Sequence, residues 1–344
     1  MISTPGILPS QEINTAIANG IIFSDEPILD GQVQPASIDL RLGSIAYRVR
    51  ASFLPGAGAT VTDKLKNITM HKIDLTGGAV LEKGCVYIVP IQESLNLLAD
   101  TSGMANPKSS TGRLDIFTRV ITNGAVEFDR IEPGYSGPLY AEISPLTFSV
   151  LVHPGSRLSQ LRLRRGNFKV ADGVAFTVDL TGFNVDGQQS KIVGYKAKQH
   201  AGVIDVECIC HYEALDYWDP IIARDDRALI LDPDEFYILA SKEAVSVPPD
   251  QAAEMRAYDT LVGEFRVHYA GFFDPGFGHN AAGSAGSRAV LEVRSHDVPF
   301  VLEDGQMVGR LIYEPLTATP SILYGRDVGS NYQNQGLKLS KHFK

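Results

Sequence analysis

The chain is poor in cysteine: only Cys85, Cys208 and Cys210 occur. Three cysteines exclude a disulfide framework. Cys208 and Cys210 are one residue apart, so they do not form the CxxC half of a zinc site either. The eight histidines are scattered and no two stand as HxxxH, so no metal cluster is indicated. No window reaches 18 uninterrupted apolar residues, which argues against a transmembrane helix and a membrane partner. The start lacks the basic region and apolar run of a secretory signal, so a reducing, cytoplasmic setting is expected. There is no long basic run, and the formal net charge is −9. A long nucleic-acid duplex needs a broad basic footprint, so nucleic acid is not an expected partner. A small anion needs only a few local Arg and Lys residues and stays open. Absent too are the GxSxG elbow, the Rossmann glycine fingerprint, the Walker P-loop and the HxE with PCxxC of zinc deaminases.

What the chain has is a set of short apolar runs, among them Val86–Val89, Leu139–Ile143, Phe148–Val152, Phe236–Leu239, Ala289–Val293 and Met307–Tyr313. Gly, Pro, Asp and Asn bound them, and the 32 glycines and 19 prolines fit many tight turns. Such runs predict a mainly β sandwich or barrel. One short helix is predicted from a Ser10 cap through Ala18, ending near Gly20.

Similar segments recur in the same order. LEKGCVYIVPIQES starts at Leu81 and LDPDEFYILASKEA at Leu231, 150 residues later. LYAEIS with Glu142 parallels AVLEVR with Glu292, and Gly155 parallels Gly305, at the same offset. IEPGY with Pro133 matches FDPGF with Pro275, 142 residues later. These matches predict two tandem β units: residues 1–181, a polar linker over 182–199, and residues 200–344.

Four constellations carry candidate chemistry. Lys108-Ser109-Ser110-Thr111-Gly112-Arg113 packs two cations, three hydroxyls and a glycine into six residues, a set suited to phosphate oxygens. Taken alone, a solvated polar turn is the simpler account. Glu142 and Glu292 each sit inside an apolar strand. Burial would raise their pKa values and suit them to proton transfer, whereas strand alternation would point them into water, the simpler account on spacing alone. His268-Tyr269-Ala270-Gly271, before Asp274-Pro275-Gly276, precedes a turn and reads equally as site or structure. The segment Tyr324 to Gln335 reads equally as a base-stacking lid or a frayed end.

In combination these residues resemble the dCTP deaminase family of the dUTPase-like superfamily. The signature of a basic residue, Ser-Ser, two residues and Arg is matched by Lys108, Ser109, Ser110 and Arg113. QPASIDLRLG from Gln34 to Gly43, both PG turns, the strand Glu and the closing YQNQG are also similar, so the likeness spans nearly the whole chain. The resemblance implies two tandem dUTPase-like β units with few short helices. It implies a site between units and hydrolytic deamination of dCTP to dUTP and ammonia. Magnesium would be held through the triphosphate, and zinc is not expected. It further implies dUTP or dTTP as product or inhibitor, and a homo-oligomer, a trimer rather than a dimer. A dUTPase, a bifunctional enzyme releasing dUMP and pyrophosphate, and a non-catalytic nucleotide sensor are the alternatives.

The two copies diverge. The first keeps the signature but lacks the family's small His-containing segment and is about six residues longer there. The second reads Arg256-Ala257-Tyr258-Asp259-Thr260-Leu261 at the signature position, yet keeps HYAGFFDPGF and Glu292. A composite site is therefore expected. On this resemblance Glu292 is the proton shuttle, and Ser109 and Arg113 place the water and the carboxylate. Lys108, Ser110, Thr111 and Gly112 contact the phosphates. His268, Ala270, Gly271, Asp274, Val290 and Leu291 line the nucleoside. Tyr324, Asn331 and Gln335 belong to the lid. Asn331 stands where the family usually has a lysine, so one lid cation is missing.

Overall fold

A computed structural model describes residues 4–170, 173–182, 184–185, 188–257, 265–267, 271–279, 286–295, 298–327, 332 and 336–344. The architecture is mainly β, with four helices among the described residues, none longer than nine residues. None of them is long and apolar enough to cross a membrane. Helix Ser10–Ala18 forms as expected, but Ser10 is its first helical residue and Pro9 precedes it. The Ser10 hydroxyl lies 3.1 Å from that of Ser321 rather than capping the helix. Helix Val61–Ile68 is capped by Thr60, whose hydroxyl oxygen accepts from the Asp63 N–H.

Two antiparallel sheets share one order. In the first half it is Thr69–Asp74, Ile45–Val49, Val86–Asn96, Ser136–Pro145, Ile116–Thr122. In the second half it is Trp218–Ile222, Ile192–Ala197, Phe236–Val245, Ser287–Ser295, Phe265–Val267. The central register is the same: Glu142 pairs with Ile88, and Glu292 with Ile238. A second layer also corresponds. Ser159–Arg165, Thr101–Pro107 and Arg130–Ile131 match Met307–Pro315, Gln251–Ala257 and Phe272–Phe273. Strand Val174–Thr177 pairs with Met307–Pro315, and Ile192–Ala197 lies inside a sheet. The second half's sheets therefore recruit chain from before residue 200 and from the stretch expected to be a linker.

The halves share a core. Leu42, Val89 and Ile143 cluster with Trp218, Phe236 and Phe343, while Leu239, Leu291, Val293 and Leu311 form a second cluster. Trp218 is fully buried and meets the Phe148 ring edge-on at 5.4 Å. Apolar area removed from water at this seam contributes roughly 25 cal/mol per Å2. That favours a close join over a loose tether.

The QPASIDLRLG segment carries a buried ion pair. Arg41 Nε donates to Glu93 Oε1 at 2.6 Å and its backbone N–H donates to Oε2 at 2.8 Å. Gln32 adds a donor to Oε1 at 2.8 Å. Glu93 is fully buried. Removing one member of such a pair leaves an uncompensated charge, so Arg41→Ala is expected to cost about 3–5 kcal/mol in urea unfolding. A loss below about 1 kcal/mol would place the pair among weak surface contacts.

Candidate active site

Strand Thr101–Pro107 ends at a proline, and the chain turns through the short helix Ser109–Gly112 before continuing as Ile116–Thr122. The turn closes when the Thr111 and Gly112 N–H groups donate to the Lys108 carbonyl. It thereby lifts Lys108, Ser109, Ser110, Gly112 and Arg113 onto the wall of a cavity of about 290 Å3. The opposite wall comes from the second half and includes Gly271, Asp274, Val290, Glu292, Tyr324 and Tyr332. The signature of the first unit and the strand glutamate of the second thus face one cavity within one chain.

Alternation decides which strand residues reach it. Val290 and Glu292 point into the cavity. Leu291, between them, is fully buried in the second core. Leu291 is therefore a core residue and not the nucleoside contact expected from the sequence. Thr111 is a second correction. Its hydroxyl turns away and donates to the Leu158 carbonyl at 2.8 Å. His268, Ala270, Asn331 and Gln335 lie outside the described residues.

Glu292 is 5% exposed. Burial pushes its carboxyl up to about 7, and the Arg113 guanidinium opposes that shift. Desolvation wins because Arg113 Nε stands off at 3.9 Å from Oε1 and the cation is shared. Arg113 Nη1 donates to the Lys338 carbonyl at 2.9 Å, and the guanidinium lies 3.9 Å from the Tyr332 ring centre. Two residues on in each half the charges are reversed: Asp115 pairs with Arg294. Asp274 sits at the other side, its carboxyl raised by burial and held back by Arg162. Arg162 Nη2 donates to Asp274 Oδ1 at 3.3 Å and to the Phe273 carbonyl at 2.9 Å. Gly276 has φ +97°, and a Cβ there would meet the Tyr324 carbonyl oxygen at 2.8 Å. The PG turn therefore needs glycine to let Tyr324 approach.

Glu142 occupies the matching strand position but another environment. It is 1% exposed, so the outward-facing reading does not apply. Its Oε1 accepts from Arg119 Nε at 3.1 Å, and the Arg119 guanidinium lies 3.4 Å from the Phe128 ring centre.

Several site residues escaped the sequence reading. Asp39, Arg157, Gln160, Tyr332 and Lys341 line the cavity, and Arg162 fixes one wall from behind. Asp39 lies inside QPASIDLRLG and Tyr332 inside YQNQG, so both motifs held a signal. Arg162 and Lys341 gave none, since their roles depend on contacts far along the chain.

A two-unit β protein with a buried carboxyl, raised to about 7, facing a Ser- and Arg-rich turn across one cavity fits a nucleotide-processing class. Comparisons narrow that class. Residues 4–167 match the model of the 2'-deoxycytidine 5'-triphosphate deaminase N-terminal domain, and residues 155–343 match that of its C-terminal domain. A crystal structure of 2'-deoxycytidine 5'-triphosphate deaminase from Agrobacterium tumefaciens is similar, with a TM-score of 0.85 and 57% identity. That likeness covers 91% of this chain and 99% of the other. A dCTP deaminase of Halorubrum lacusprofundi is 32% identical over 159 residues, 45% of this chain and 75% of that protein. A dUMP-forming dCTP deaminase of Halobacterium salinarum is 32% identical over 127 residues, 36% of this chain and 60% of that protein. The chain belongs to the dCTP deaminase family of hydrolytic deaminases.

The raised Glu292 carboxyl makes a stability prediction. Its folded value, about 7, lies above the ordinary 4.5. Between those values the folded state holds the proton more tightly, so stability falls as pH rises through the window and levels off above it. Glu292→Gln removes that titration. Its thermal midpoint relative to the parent should be higher at about pH 8 than at about pH 5. A difference independent of pH would mean that Glu292 does not titrate in this range.

Proposed function

We propose that the cavity binds dCTP and deaminates it hydrolytically to dUTP and ammonia, with Glu292 as the proton shuttle. The observation that carries this reading is the meeting of a carboxyl near pKa 7 with the Ser-Ser-x-x-Arg turn in one cavity. In the proposed reaction ionised Glu292 takes a proton from water as the oxygen attacks C4 of cytosine. The carboxylic acid then gives that proton to N3. Glu292 next takes the proton of the new C4 hydroxyl and passes it to the exocyclic nitrogen; C4 becomes a carbonyl as the C4–N bond breaks and ammonia leaves. Arg113 and Ser109 position the water and the carboxylate, and Arg113 stabilises the ionised form enough for it to act near neutral pH. Lys108, Ser110 and the backbone at Gly112 would meet phosphate oxygens, and Asp274 the sugar. Tyr324 would cover the nucleoside.

Magnesium is proposed to arrive with the triphosphate. Among the described residues no group of three or more His, Cys, Asp or Glu side chains converges, which suits an ion held mainly by phosphate oxygens. Asp39 is the carboxylate that would face it, since its buried Oδ1 makes no hydrogen bond among the described residues. When bound, the ion would neutralise phosphate charge. The signature and Glu292 belong to one chain, so a homo-oligomer, trimeric or dimeric, is not needed to bring them together.

Release of dUMP is the second reading, favoured by the dUMP-forming name of a relative. Purified protein given dCTP and magnesium, with product followed by chromatography, separates dUTP from dUMP. Activity should survive a zinc chelator at excess magnesium. Glu292→Gln should lose at least about 10²-fold in turnover, and Glu142→Gln far less. Equal damage by the two would overturn the composite site. Because Glu292 must be ionised to accept a proton, kcat/KM should fall about tenfold per pH unit below its pKa.

A further inference from the structure

One side of the cavity holds more positive charge than the signature explains. Lys108 and Arg157 line it, and both pair with Asp39, Arg157 at 3.5 Å. Lys341 lines the same cavity. Its backbone is pinned there. The Lys341 N–H donates to the Tyr332 hydroxyl at 3.2 Å, and its carbonyl accepts from the Cys210 N–H at 2.9 Å. On one side the Ser340 hydroxyl donates to the Ser110 carbonyl at 2.8 Å. On the other, His342 Nε2 lies 3.0 Å from the Val206 carbonyl oxygen. The tail is thus fastened to the back of the signature turn, and the Lys341 side chain starts from a fixed point.

The charges divide the cavity into two ends. Glu292 feels Arg113 and Asp115. Lys341 feels Lys108, Arg157, Asp39 and Glu207 instead. Burial and the two like charges hold its ammonium below the ordinary lysine value. Of the two carboxylates, Asp39 is already engaged by Lys108 and Arg157, and Glu207 accepts from the Ser156 hydroxyl at 2.6 Å. Three cations around one shared carboxylate, with Lys108 and Lys341 partly buried and Arg157 exposed, form an arrangement that an incoming polyanion relieves.

We propose that Lys341 is a polyphosphate-binding residue, joining Lys108 and Arg157 to make the cavity select nucleoside triphosphates over mono- and diphosphates. This inference rests on the reading of the cavity as a nucleotide site. It also gives the chain a tail cation at a position other than Asn331.

The test is calorimetric titration of Lys341→Gln, Lys341→Arg and a control, Lys344→Gln, with dCTP, dCDP, dCMP and inorganic tripolyphosphate. Lys344 pairs with Glu213 outside the cavity. Lys341→Gln should weaken dCTP and tripolyphosphate about tenfold or more and leave dCMP unchanged, as loss of one charge-assisted contact requires. KM for dCTP should rise with kcat nearly constant. Lys341→Arg should recover most of the affinity, and Lys344→Gln should match the parent. Parental affinity of Lys341→Gln for dCTP and tripolyphosphate would overturn the inference, and so would an equal loss for all four ligands. The two readings fail separately. Tripolyphosphate binding that depends on Lys341, with no deamination of dCTP, would sink the proposed activity alone. Deamination with unaltered binding in Lys341→Gln would sink this inference alone.

Discussion

Burial raises the Glu292 carboxyl to about 7, and a buried carboxylate has to be held. The seam between the two halves provides both the burial and the hold. Arg113 and Asp115 come from one half, Glu292 and Arg294 from the other, with the charge order reversed. Residues two apart on a strand share a face, so Glu292 and Arg294 present as a unit. Asp115 adopts φ 55°, an uncommon conformation for a residue with a side chain. The Thr147 hydroxyl donates to Asp115 at 2.6 Å, and Arg294 donates to Thr147 at 3.0 Å. The Asp115–Arg294 pair is the tight lock and Arg113–Glu292 the loose one. If both were tight, Arg113 would hold Glu292 ionised and oppose the shift that burial produces.

Glu142 shows the alternative outcome on the same strand frame. Its partner Arg119 sits directly across the ladder, so the two side chains meet at hydrogen-bond distance. Phe117 and Phe128 rings pack on that guanidinium. Arg119 also donates from Nη2 to the Ser52 hydroxyl at 2.9 Å. Arg113 stands off from Glu292 at 3.9 Å and meets the Tyr332 ring and the tail carbonyl of Lys338. Nearby Asp129, pushed by burial up to about 7 and bonded to the Val120 N–H, adds to the closed character of the first-half position. A glutamate in the same register gives either a structural ion pair or a candidate catalyst, and the difference is the distance to its arginine: hydrogen-bond reach at Glu142, 3.9 Å at Glu292.

The mainly β character was legible because short apolar runs between turn residues leave little room for other elements. The signature turn and Glu292 were legible because their residue types are costly to bury without reason. What stayed hidden depends on contacts far apart along the chain. Leu291 reads like its neighbours until the strand's facing is known. Thr111 has the chemistry of a phosphate contact but gives its proton to Leu158. Ser10 has the chemistry of a cap, yet Pro9 takes the position before the helix. The strand Val174–Thr177 looks like the end of one unit and pairs with the other. Arg162 is an ordinary basic residue in the sequence. In the fold it is fully buried, and its Nη1 donates to the Ala253 carbonyl at 2.8 Å.

The covalent join explains why each half can keep only part of a site. Where sites form between separate identical chains, every copy must carry both the gripping turn and the acidic strand. Here the turn of one half meets the strand of the other in a fixed order, and packing around Trp218 and the Arg162 cluster fixes the geometry. Only one turn and one strand glutamate are then needed per chain. The first-half glutamate, Glu142, is itself buried, and a buried carboxylate without a close partner is expensive. Arg119, within hydrogen-bond reach of Glu142 Oε1, offsets part of that cost, while Oε2 makes no hydrogen bond among the described residues. Under the proposed composite site, the asymmetry between the two halves follows from the cost of buried charge.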